Sequence, residues 1–378
     1  MSRRLSFAIS GLALALAGCG SADDQARGTG PAAANSSRPT ATGGPAATPE
    51  PGGDLRAVTG KSLRGKYATL EPLASAQGFV QMAASGKVLA VATGGLGGLT
   101  LHVGPPSTNG PLELHEAEGA SLIPWWADIH VGSDAKGRPI VTYPTCSTAQ
   151  YDSCKAMSWS PDMREERPVS GLATVGGVIE VVENEEFTVY RTVTRGSSLD
   201  MGLESDRSSD PVLRVLTAVS GPRRLPGKPA QKLELHGRTL AVIRDDGSGA
   251  GDPGICGMQA VDLWKLDALD GGAQTIDRMI CGLGGQWLTG VHLDATKVRI
   301  MMSANAEDDH AALRTYDPAT KQLTKRRMPG DVPEIVWLDD VHGITIGLGE
   351  ACDERIDPTD RAQQLRTCAI ARITLRDP

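Results

Sequence analysis

From Trp287 to Leu323 the chain reads WLTGVHLDATKVRIMMSANAEDDHAALRTYDPATKQL. An apolar run, Trp287–Leu293, is followed by a polar turn and a second, β-rich run, Val298-Arg299-Ile300-Met301. Short length, β-branched content and bounding turn residues mark such runs as strands. A third run, Ala311–Tyr316, ends in Tyr316-Asp317-Pro318-Ala319-Thr320-Lys321, where Asp, Pro and Thr pre-set a tight reversal into Gln322-Leu323. Four short strands with three connections make one antiparallel sheet.

The same unit recurs on either side. Its second runs are Val88–Ala92, Ile140–Tyr143, Phe187–Tyr190, Leu240–Ile243, Val298–Met301 and Ile344–Ile346, and their starts lie 52, 47, 53, 58 and 46 residues apart. That interval suits the four-stranded blade of a β-propeller and exceeds that of the shorter solenoid repeats. First strands are expected at Phe79–Ala83, Trp126–Val131, Val178–Val182, Lys232–Leu235, Trp287–Leu293 and Ile335–Leu338, and third strands at Ala156–Ser160, Met258–Leu266, Ala311–Tyr316 and Ala369–Leu375. Pro168, in the fourth strand of blade 2, suits an outer edge, because proline removes a ladder donor. The sixth blade stops at its third strand, so Tyr67-Ala68-Thr69-Leu70 is expected to complete it and close the ring. The expected fold is therefore an all-β, six-bladed propeller, with two β-sandwich domains as the alternative.

Composition agrees. Of 378 residues, 45 are Gly and 24 Pro, which favours many turns over a helical bundle. With 38 Lys+Arg against 45 Asp+Glu the chain is no basic nucleic-acid binder.

The first sixty residues are of another kind. Arg3 and Arg4 precede the apolar stretch Leu5–Ala17, too short to span a bilayer but of the length of a secretory signal core. It ends in Leu16-Ala17-Gly18-Cys19, which resembles the lipobox of bacterial lipoproteins. The resemblance implies cleavage of residues 1–18, acylation of Cys19 and attachment to a membrane on its extracytoplasmic side. Removing residues 1–18 takes away two arginines and no acid, moving the formal charge from −7 to −9. Between Gly20 and Asp54 there is no Val, Ile, Leu, Met or aromatic residue, so residues 19–60 are expected to be a lipidated, disordered tether and 61–378 the folded domain. Thr59-Gly60-Lys61-Ser62 has the ending of a phosphate-binding loop, but Leu55 stands where that motif requires glycine.

Six cysteines follow Cys19, and an exported chain is expected to oxidise them. The blade plan pairs Cys146 with Cys154 and Cys352 with Cys368, each pair across the connection between a second and a third strand. It pairs Cys256 with Cys281 across one hairpin of blade 4. All six sulfurs then lie on one face of the disc. Neither CxxC nor a Cys/His ligand set for zinc occurs.

That face also gathers carboxylates: Asp245, Asp246 and Asp252 from blade 4, Glu307, Asp308 and Asp309 from blade 5, and Glu350, Asp353 and Glu354 from blade 6. Such loops would attract a cationic ligand or a basic peptide, and their hard oxygen donors suit calcium, although no EF-hand spacing is present. No cofactor motif appears. Trp125, Trp126, Trp287 and Trp337 are expected in first strands, packed between blades. His130, His236, His292 and His342 are expected near the opposite face, exposed or capping. The chain has no GxSxG, HExxH or sialidase-type Asp box. The folded domain is loosely similar to TolB-like and other quinoprotein-like propellers, with Ser158-Trp159-Ser160-Pro161-Asp162 as one match to their repeat signature. The reading is a membrane-tethered, monomeric binding or scaffold module with an unknown protein or small cationic ligand, and a propeller hydrolase of the cell envelope as the alternative.

Overall fold

The computed structural model describes residues 55–58, 62–64, 66–95, 97–147, 151–193, 212–217, 220–226, 230–245, 257–281, 287–303, 311–328, 332, 334–346 and 367–376, all within the unit Pro49–Pro378. Five four-stranded antiparallel sheets follow one another, each built of strands consecutive in sequence. Blade 1 comprises Phe79–Ala84, Leu89–Gly95, Gly98–Gly104 and His115–Glu116. Blade 2 comprises His130–Ser133, Pro139–Cys146, Cys154–Ser160 and Glu165–Pro168. Blade 3 has Val178–Glu183, Phe187–Thr192, Val212–Thr217 and Arg223–Arg224. Blade 4 has Ala230–His236, Thr239–Asp245, Gly257–Lys265 and Gln274–Cys281. Blade 5 has Leu288–Leu293, Val298–Met302, Ala312–Asp317 and Gln322–Arg327.

The sixth blade takes Ile335–Trp337, His342–Ile346 and Thr367–Leu375 from the C-terminal part. Its fourth strand, Ala68–Gln77, comes from the other end of the folded region and pairs antiparallel with Thr367–Leu375. The closing strand is longer than Tyr67–Leu70. Within it, Pro72 lies beside a register shift between Ile370 and Ala371, where an irregular ladder tolerates the missing donor. Arg56–Ala57 and Leu63–Arg64 add to its outer side. The chain is thus a six-bladed β-propeller closed by an N-terminal strand, and Pro168 does sit in an outer strand.

Period-two alternation explains how the blades adhere. Leu240 and Val242 face the seam with blade 3, whereas Ala241 and Ile243 face the seam with blade 5. In blade 1, Ala90 and Ala92 turn to blade 2 while Leu89 and Val91 turn to blade 6. A middle strand is therefore apolar at consecutive positions, because both of its faces are covered. Six apolar clusters result, one per seam. Two stacked sandwiches would not produce this cycle.

Two details differ from expectation. The inner strand of blade 2 begins at His130, not Trp126, because Pro124 starts a turn in which the Ala127 amide donates to the Pro124 carbonyl at 2.9 Å. Trp125 and Trp126 sit on that turn, where Trp125 packs on Phe79 and Trp126 on Tyr151, with ring centroids 5.0 and 5.2 Å apart. Trp287 lies just before its strand, and Trp337 is within its strand and buried.

Cys146 and Cys154 are directly opposed in register and joined by a disulfide across the connection of blade 2. Cys281 ends the fourth strand of blade 4 opposite Gly257; its side chain, Cys256 and Cys352 lie outside the described residues. Cys368 is disulfide-bonded. Closing so short a loop stabilises by about 2–3 kcal/mol in the chain-entropy account. Cys146→Ser in the full chain is expected to lower Tm by about 4–6 °C in a thermal melt followed by circular dichroism. An unchanged Tm would show that the bridge contributes nothing to the fold.

Candidate functional site

Each inner strand begins where the connection from the preceding blade arrives, and all six surround one cavity on the propeller axis. Its wall is apolar in part, with Met82, Val131, Val182, Val291 and Val336, and carries a set of ionisable groups: Asp128, His130, Lys232, Glu234, His292 and Glu334. Asp128 and Glu334 stand just ahead of the inner strands of blades 2 and 6.

Irregular backbone places several of these groups. The inner strands of blades 3, 4 and 5 each carry a register shift near their start, between Val178 and Glu180, Ala230 and Lys232, and Leu288 and Gly290. A bulge adds one residue and re-aims the side chains that follow it. After two of these bulges come Glu180 and Lys232, and after the third comes Gly290, beside which Glu334 packs.

Lys232 Nζ donates to Asp128 Oδ1 at 2.9 Å and lies 3.7 Å from Glu334 Oε2. Glu234 Oε1 and His292 Nδ1 are 3.2 Å apart. Behind them His130 Nε2 hydrogen-bonds Glu180 Oε1 at 2.9 Å, and Arg191 Nε lies 2.5 Å from Glu180 Oε2. Burial opposes charge on Asp128, but Lys232, His130 and Arg191 outweigh it and hold the carboxyl below its ordinary value. Burial also opposes charge on His130; the hydrogen bond and charge of Glu180, with Asp128 and Glu234, prevail and raise it. Three carboxylates on the cavity wall thus stand beside Lys232 and His130, whose charged form its neighbours favour.

His130 departs from the expectation of an exposed histidine: it is buried on the axis, and His292 also lines the cavity. His236 is exposed, and His342 contacts the Asp339 carboxylate of its own turn at 2.9 Å. Asp245 ends the second strand of blade 4 with its backbone opposite Gln259. Its side chain lies outside the described residues, as do Asp246, Asp252, Glu307, Asp308, Asp309, Glu350, Asp353, Glu354 and Cys19. Asp128, Lys232, Glu234 and Glu334 had no motif to announce them, because they come from three separate blades and converge only in the ring. Among the described residues no group of three or more His, Cys, Asp or Glu is placed to hold a metal ion.

Beside the inner strands of blades 2 and 3 lies a second charged group. Asp134 accepts from the Arg138 and Arg167 side chains and from the backbone amides of Lys136 and Arg138. Burial opposes its ionisation, but these donors hold it well below the carboxylate range. Close by, the backbone of Glu183 approaches Gly132 so nearly that a Cβ there would meet the Glu183 carbonyl oxygen at 1.8 Å. Burial pushes the Glu183 carboxyl up to about 7, with Arg167 opposing and Asp134 reinforcing the shift.

No family model matches the chain, and no curated protein does either. Among solved structures the likenesses are partial. The AtxE2 isopeptidase is 12% identical with a TM-score of 0.35, and the match covers 74% of this chain and 49% of that one. TolB from Acinetobacter baumannii is 9% identical with a TM-score of 0.44, covering 75% of this chain and 63% of that one. The β-propeller domain of the Trilobed protease from Pyrococcus furiosus is 8% identical with a TM-score of 0.42, covering 77% and 89%. This chain therefore spans about half the length of the isopeptidase and less than two thirds of TolB. Its blade count and closure stand on its own strand pairing.

Because Glu183 titrates higher folded than unfolded, its folded form holds a proton that the unfolded chain releases. Stability therefore falls as pH rises from about 4.5 to about 7, by about 3 kcal/mol. Glu183→Gln is expected to raise Tm by several degrees at pH 8 and to leave it unchanged near pH 4. Equal effects at both pH values would refute the assignment.

Proposed function

We propose that the chain is an exported, lipid-anchored binding module whose propeller holds a cationic ligand at its axial cavity. The observation that carries this reading is the cavity wall, where three carboxylates, Asp128, Glu234 and Glu334, outnumber Lys232 and His130. A narrow space with low-dielectric walls focuses such a field on its opening. Anchoring rests on Leu16-Ala17-Gly18-Cys19; among the described residues no helix is long and apolar enough to cross a membrane. An acylated Cys19 supplies the attachment.

His130 gives the binding a direction with pH. The groups facing it are Glu180, Asp128 and Glu234, and together they favour its charged form over that of a free histidine. Proton loss as the pH rises through that raised value makes the cavity more negative, so cation affinity increases with pH.

Two measurements test the reading. Calorimetric titration of the full chain with spermidine is expected to show binding that weakens by about tenfold or more between about 20 and 300 mM salt and strengthens as pH rises above the ordinary histidine range. No heat with spermidine, a basic peptide or calcium would remove it. Cys19→Ser is expected to abolish incorporation of labelled palmitate and to release the protein from the membrane fraction. A variant that stays in that fraction would exclude lipid as the anchor.

A further inference from the structure

A whole rung of blade 2 that faces blade 3 is polar. Across the four strands it reads His130, Thr142, Ser158 and Arg167, and residues opposed in register share a face of the sheet. His130 reaches Glu180 from that face, and the Thr142 hydroxyl donates to the Val181 carbonyl at 2.7 Å. The seam between blades 4 and 5, by contrast, is filled by Ala241, Ile243, Val298 and Ile300. Glu183, the last residue of the inner strand of blade 3, lies at one end of the polar seam. Its side chain is 7% exposed, and no hydrogen bond or ion pair holds its carboxyl. From blade 2 it faces Asp134, Arg138 of the same turn and Arg167 of the outer strand. On its own blade Glu180 precedes it in the strand, and Glu185 follows in the turn beside Gly137. Both arginines are committed to Asp134, Arg138 at 2.9 and 2.6 Å and Arg167 at 3.0 Å. A proton, rather than a cation, therefore keeps Glu183 compatible with its place.

An ionised Glu183 lies desolvated beside Asp134, which its four donors keep charged. Hydration relieves that charge, and it requires the two inner strands to part where the Glu183 carbonyl now packs against Gly132. The polar rung lowers the cost of parting, because its groups exchange protein partners for water, whereas an apolar seam loses its burial outright. We propose that the seam between blades 2 and 3 is a pH-dependent joint of the ring, closed while Glu183 carries its proton and loosened when that carboxyl ionises. The other five seams stay shut, so the loss of stability with rising pH is local before it is global. His130 lies in the same seam and loses charge as pH rises, so its part must be separated from that of Glu183. The joint does not depend on cation binding, since Glu183 is not among the residues that line the axial cavity.

Hydrogen exchange of the full chain, read by mass spectrometry at about pH 5 and about pH 8 with times scaled to the intrinsic rate, tests the joint. Amides of His130–Ser133 and Val178–Glu183 should lose protection by about tenfold or more between the two, and those of Thr239–Asp245 and Val298–Met302 by less than about threefold. Glu183→Gln should keep the seam protected at the higher pH, and His130→Gln should leave the loss in place. Equal loss in all four segments would make the effect global and refute the joint. A local loss that survives Glu183→Gln, or that disappears in His130→Gln, moves the trigger to the His130–Glu180 pair and overturns the assignment. Should Glu183→Gln not fold, as judged by its melt, the pH profile of the unaltered chain decides. Seam protection that falls between about pH 4.5 and about 7 and is level above upholds Glu183. A fall that begins only above about pH 6.5 belongs to His130 and overturns it.

Discussion

Everything in this molecule depends on a topological closure between the two ends of its folded region. A single four-stranded blade has two apolar faces and no way to cover either alone. Five blades in a row would still leave one face bare at each end. The pairing of Ala68–Gln77 with Thr367–Leu375 removes both bare faces together. Leu73, Ala74 and Ala76 from that strand then enter the seam with blade 1, while Ala68 and Leu70 enter the seam with blade 5. One strand thus supplies apolar surface to two interfaces and ladder hydrogen bonds to a third element. The added strands Arg56–Ala57 and Leu63–Arg64 shield its outer edge, which would otherwise offer unpaired backbone groups.

How much of this could be read beforehand follows from what each feature depends on. The middle strands were legible because burial on both faces demands consecutive apolar residues, and runs such as Leu240–Ile243 announce themselves without context. The Cys146–Cys154 bridge was legible because it spans a single reversal. Outer strands such as Arg223–Arg224 were not, since an exposed pair of arginines carries no apolar pattern. Trp126 misled for a related reason: a tryptophan reads as a strand former, but Pro124 two residues earlier commits the backbone to a turn. His130 misled through its position near a strand end, where exposure is the ordinary outcome. Its burial depends on Glu180, fifty residues away and in another blade.

The candidate site was the least legible part. Its side chains are spread across the connections and inner strands of several blades, and three of those strands owe their aim to bulges that no sequence pattern marks. The acidic segments that sequence reading favoured are charge runs visible locally. The groups that the ring brings together are single residues: Asp128 and Glu334 just ahead of inner strands, Lys232 and Glu234 within one. Convergence is a property of the closure, so a reading confined to neighbours along the chain could not have found it.

The chemistry of the axis also differs in kind from that of the seams. In the seams, apolar residues meet apolar residues and the stabilisation follows from area removed from water. On the axis, Glu180 is fully buried and shares its charge between His130 and Arg191, and Asp128 is held by Lys232. Removing such ions from water costs about as much as their mutual attraction returns, so apolar residues of similar size would give a ring at least as stable. Bulged strands carrying buried ions therefore violate two local rules at one place, and stability does not account for either. The proposed binding role would, because a seat for a charged group must keep charges partly desolvated and fixed before the ligand arrives. The same closure that covers the apolar faces also fixes those charges, so fold and site share one mechanical origin.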